Sequence, residues 1–136
     1  MDHSELISTF ERVDEQTQNL ERILSARGSL PLLETVDDAI GLIKKLLIAY
    51  IKDVGEKNPP AETDDVLDVF KVLVKGDPSW NTIRDNIREL VYYKNCISME
   101  RLDALPPVPE KMAVRTLRHL YLFMKTRCSR EGRLGD

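Results

Sequence analysis

The sequence predicts an all-α fold, a single compact bundle of about five main helices with a short sixth, and three observations carry that prediction. Apolar residues recur at intervals of three and four, the period of a helix face, and nowhere alternate over a strand's length. Glycine and proline fall mostly between these periodic stretches, where they stop helices. The composition, 42% hydrophobic and 32% charged over 136 residues, is that of one ordinary globular domain spanning 1–136. A chain of this length buries roughly 68% of its unfolded surface, so it needs neither disulfides nor a structural metal to fold. An armadillo-like stack of helix pairs is the alternative arrangement of the same helices.

The first helix is expected from Asp2, with Asp2 and Glu5 at capping-box spacing, to the residue before Gly28. Leu6, Phe10, Val13, Thr17, Leu20 and Leu24 form a narrow seam on it. Such a seam packs inside the domain or, as the alternative, pairs with a second copy in a coiled coil. A monomer is expected, because the seam spans only about three heptads and Thr17 weakens its middle.

Thr35 and Asp38 repeat the capping spacing, and the second helix is placed from Val36 to about Val54. Val36, Ile40, Ile43, Leu47, Tyr50 and Val54 line one side, and Leu42, Leu46, Ile48 and Ile51 widen it. This is the expected central helix. Gly41 lies inside it at a cost of up to ~1 kcal/mol, which a close helix crossing would offset.

Residues 55–63, "GEKNPPAET", read as a loop. A helix from about Asp64 to Lys75 follows, and Asp77-Pro78 opens the next, expected to run to about Lys94 with Trp80, Ile83, Ile87 and Leu90 on its buried face. Ser98 is placed as the cap of a short turn through Leu102. The proline-rich segment 103–109 forces an extended connection, because residues before proline avoid the helical region. Pro109 opens the last helix, and 131–136 are expected to form a flexible tail.

Enzymatic signatures are sparse, with no phosphate-binding glycine loop, no H-E-x-x-H and no G-x-S-x-G. His3 and His119 are the only histidines, and no cofactor is implied. Asp64, Asp65 and Asp68 are the best catalytic candidates. Two of them one helical turn apart, joined by Glu11 and Glu15, would suit a magnesium-dependent all-α nucleotide hydrolase. Their simpler role is to complement the positive end of a helix dipole. Cys96 and Cys128, lacking C-x-x-C spacing, suit free thiols.

The amino-terminal stretch is acidic, without the basic start and apolar run of a secretory signal, and the longest apolar run is broken by Lys44 and Lys45. An intracellular protein, cytoplasmic or nuclear and without a membrane span, is expected. Charge is unevenly distributed: residues 1–80 carry 9 Lys and Arg against 16 Asp and Glu, a net −7, whereas residues 81–136 carry 11 against 7, a net +4. Such asymmetry concerns partners, not fold.

The basic excess gathers in "KMAVRTLRHLYLFMKTRCSR", where Ala113, Leu117, Leu120 and Met124 face inward and Lys111, Arg115, Arg118 and Lys125 outward. The function expected is therefore a non-catalytic interaction module, or a small subunit of a larger assembly. It would bind an acidic protein surface through Lys111, Arg115, Arg118, Tyr121, Lys125, Arg127 and Arg130. Nucleic-acid binding along the same stripe is the alternative, disfavoured by the domain's acidity.

Overall fold

The structure, a computed structural model, describes residues 2–135. Five α-helices run in the order α1 (Ser4–Arg27), α2 (Leu32–Asp53), α3 (Val66–Gly76), α4 (Arg84–Ser98) and α5 (Pro109–Arg130), and 3-10 turns cover Pro78–Ile83 and Leu102–Ala104. Helix α2 packs against α1, α3, α4 and α5, and α1 also lies along α5. One helix surrounded by all the others is a bundle. In an armadillo-like stack each repeat would touch only its neighbours, so that alternative is set aside.

The centre of α2 explains this role. Ile43, Leu46, Leu47 and Ile51 are almost fully enclosed, as are Leu6 of α1, Ile87 and Leu90 of α4, and Leu117, Leu120 and Met124 of α5. Each such side chain contributes roughly 1.5–3 kcal/mol of burial. Thr17, the polar interruption of the α1 seam, is buried without penalty because its hydroxyl donates to the Val13 carbonyl at 2.7 Å. The seam is used inside the chain, where Leu6, Phe10 and Val13 join the common core and Leu20 packs against its edge.

Several boundaries differ from expectation, each for a local reason. Helix α1 starts at Ser4, after His3; Asp2 accepts from the Ser4 N–H at 2.8 Å, and Glu5 reaches toward Lys52 instead of closing a capping box. Its end follows the sequence: Gly28 takes φ 79°, a left-handed cap, and donates to the Leu24 carbonyl at 2.8 Å. Helix α2 begins a turn early, at Leu32 after Pro31. Thr35 lies within it, bonding back to the Pro31 carbonyl, and Val54 is left exposed past its end.

No close crossing occurs at Gly41, where a methyl group would meet no atom within 4 Å. The neighbouring helices approach α2 through its larger side chains instead. Asp77 caps as predicted, accepting from Ser79 N–H at 3.0 Å, but Pro78 opens a 3-10 turn and α4 proper starts at Arg84. Helix α4 runs on to Ser98, which therefore ends a helix instead of capping a turn. Leu105 before Pro106 is extended as expected, but Val108 before Pro109 adopts φ 47°, an unusual conformation for a β-branched residue.

The residues beyond α5, expected as a tail, form a turn. Helix α5 closes with Gly132 at φ 73° and a bond from Arg133 N–H to the Cys128 carbonyl at 2.9 Å, a reversal that turns the chain back onto the bundle. Arg133 then pairs with Asp53 at 3.0 Å and Glu131 at 2.6 Å, and Leu134 packs on the core. Asp136 lies outside the described residues.

Candidate protein interface

Helix α5 carries both the buried and the basic residues singled out in the sequence, and its turn spacing separates them. Ala113, Val114, Leu117, Leu120, Tyr121, Met124 and Cys128 are buried, while Lys111, Arg115, Lys125 and Arg130 are exposed. Burial pushes the Cys128 thiol up to about 12, which keeps it protonated and unreactive at neutral pH. Cys96 is likewise buried and free.

Three of the seven expected partner-binding residues turn inward. Arg118 forks onto Glu21 with Nε at 3.0 Å and Nη2 at 2.8 Å, and its Nη1 donates to Asp14 at 2.8 Å. Its side chain is only 21% exposed. The hydrogen bonds it donates to these α1 carboxylates hold the guanidinium charged despite partial burial. Tyr121 is buried, its ring 5.7 Å from Phe10, with the Arg118 guanidinium 5.1 Å and the Lys125 ammonium 5.8 Å from its centroid. Arg127 lies 3.8 Å over the Trp80 ring and donates to Asp77 at 2.6 Å and Glu131 at 3.2 Å. Part of the charge asymmetry between the two halves is therefore neutralised within the chain. Arg118→Ala should cost about 1–2 kcal/mol in urea unfolding, between the values for exposed and buried pairs, and the loss should shrink in high salt.

Glu131 joins these contacts to α2. It accepts from Tyr50 Oη at 2.8 Å, and burial together with that bond pushes the Tyr50 hydroxyl up to about 12. The expected acidic site is not assembled. Asp65 is the cap of α3, accepting from Leu67 N–H at 2.9 Å, and Asp64 lies outside the helix, bonded to Ala61 N–H at 2.9 Å. Asp64 and Asp68 therefore share no helical face. Among the described residues no ion pair or hydrogen bond links Glu11 or Glu15 to them, and no group of three or more His, Cys, Asp or Glu is placed to hold a metal ion. His3 is not free either; its Nδ1 lies 2.8 Å from Asp53.

Of the exposed α5 residues, Lys111 and Arg115 border one depression and His119, Leu122 and Arg130 another, one on each flank. The first, about 430 Å³, lies against the end of α1, with Leu24 and Val114 at its base and Lys111, Arg115 and the paired Arg118 along one wall. The second, about 550 Å³, lies toward the Pro78–Ile83 turn and includes His119, Leu122, Phe123 and Arg130. Leu122 is 52% exposed. Sequence reading missed the half-buried Leu24 as a lining residue because its spacing places it on the core seam; the α1 seam runs past the end of the core. No helix among the described residues is long and apolar enough to cross a membrane. No protein-family model, curated protein or solved structure matches the chain.

Proposed function

We propose that the chain is a non-catalytic protein-interaction module, or a small subunit of a larger assembly, whose α1–α5 depression receives an acidic segment of a protein partner. One observation carries the reading: Lys111 and Arg115 stand one helical turn apart on α5, exposed and without an acidic partner among the described residues, beside the apolar Leu24 and Val114. Arg118, by contrast, belongs to the fold. Reversing its charge would set a carboxylate against Asp14 and Glu21, so it is a poor probe of binding.

The test pairs Lys111→Glu with Arg115→Glu. Partners recovered by affinity capture are purified and titrated calorimetrically against both chains at low and high salt. The double variant should melt like the parent and bind about tenfold more weakly at low salt, with the difference narrowing as screening grows. Equal affinity of both chains for every purified partner refutes the assignment.

A further inference from the structure

A second basic surface lies between α3 and α4, and the fold makes little use of it. Between α3 and α4 is a depression of about 500 Å³ with Leu67 and Val74 at its base and Phe70 beneath. One wall carries Lys71 and Lys75 of α3, the other Arg84 and Arg88 of α4. Each pair is separated by four residues, one helical turn, so the groove has two matched cations on either side of an apolar floor.

The fold uses these charges only weakly. Asp68 lies 3.8 Å from Lys71 and Asp85 3.7 Å from Arg84, loose exposed pairs beyond hydrogen-bond reach, and Lys75 and Arg88 enter no ion pair among the described residues. Lys71 and Lys75 do suit the C-terminal half of α3, where the helix dipole favours cations. Arg84 does not, for it opens α4, where the dipole favours anions, and Arg88 follows one turn later. Arg118, Arg127 and Arg133, in contrast, are all engaged by carboxylates at 3.0 Å or less.

We propose that the α3–α4 groove is a second docking surface, distinct from the α1–α5 depression, and that it receives an amphipathic helix of another protein bearing acidic residues on both borders of its apolar stripe. Charge complementarity sets the sign of the occupant. The layout sets its form, because one face of a helix can present an apolar stripe with carboxylates along both borders, whereas a strand shows only a single row of side chains to each face. The apolar floor selects a side-chain stripe over a phosphate backbone, and no exposed aromatic ring lines the groove to stack a base. The chain would thus hold acidic partners at two places, as a bridging subunit must.

The test is a displayed library of amphipathic helices of roughly 18 residues, with leucines fixed on one stripe and each bordering position free to be Glu, Gln or Lys, selected on the folded full-length chain. Glutamate should be enriched on both borders at one-turn spacing. The selected peptides should lose about tenfold in affinity for Lys75→Glu/Arg88→Glu and for the milder Lys75→Gln/Arg88→Gln, yet bind Lys111→Glu/Arg115→Glu as they bind the parent. Absence of any charge preference, or of any binder sensitive to Lys75 and Arg88, overturns the proposal. So does a preference abolished only by Lys111→Glu/Arg115→Glu, which would assign the peptides to the other depression. Single-stranded RNA binding that depends on Lys75 and Arg88, or a dimer that those substitutions dissociate in sedimentation, would give the groove to a different occupant and equally overturn it.

Discussion

Leu120→Asp should abolish the cooperative thermal unfolding transition, leaving a chain that binds hydrophobic dye and shows no dispersed methyl resonances. Leu120 has no exposed surface and lies midway along α5, the helix that packs against both α1 and α2. Truncating such a leucine alone typically costs ~2–5 kcal/mol, and an unpaired buried carboxylate adds several more. Together these approach the ~5–15 kcal/mol by which a domain is usually stable. Leu120→Met, which conserves volume, should cost less than ~1.5 kcal/mol and melt nearly as the parent does. A cooperative melt of Leu120→Asp within a few degrees of the parent would show that the α5 face is not part of the core.

Trp80→Ala should lower stability by ~3–5 kcal/mol, a fall in melting temperature of roughly 10–20 °C for a chain of this size. The indole is 1% exposed, edge-on to Tyr50 at 4.9 Å and to Phe123 at 6.0 Å, and its remaining face is covered by the Arg127 guanidinium at 3.8 Å. Removing it opens a cavity where α2, α5 and the Pro78–Ile83 turn meet. It also strips the ring over which Arg127 lies, leaving that arginine its bonds to Asp77, Glu131 and the Ser79 hydroxyl. Trp80→Phe should recover part of the loss by restoring aromatic packing. Near-parental denaturant midpoints for Trp80→Ala would show that the indole is not an anchor of the core.

Both residues were legible before any coordinates. Leu120 stands at helical spacing from Leu117 and Met124, and Trp80 shares a face with Ile83 and Ile87 just after a proline start. All-α class, the number of helices, the central place of α2 and the inward face of α5 follow from such local periodicity, because a helix's apolar stripe must be covered whatever covers it. Caps were less legible. Asp77 caps as predicted, but Asp65 caps the helix it was expected to lie within, and Thr35 and Asp38 match the motif without performing it, since Pro31 can begin the helix a turn earlier.

The candidate site shows the same division more sharply. Which residues are basic, and which face of α5 they share, is a property of the sequence; whether each cation is free is a property of its neighbours in space. Arg118 meets Glu21, 97 positions away, and Arg133 meets Asp53, 80 positions away. No local pattern encodes such pairings. The packing of α1 along α5 and the reversal at Gly132 bring those carboxylates within hydrogen-bond distance, and so Arg118 and Arg133 are paired within the fold while Lys111 and Arg115 have no acidic partner among the described residues. Helical periodicity is written into neighbouring residues and survives in the unfolded chain, but an ion pair across the bundle exists only after the core has placed its two helices side by side.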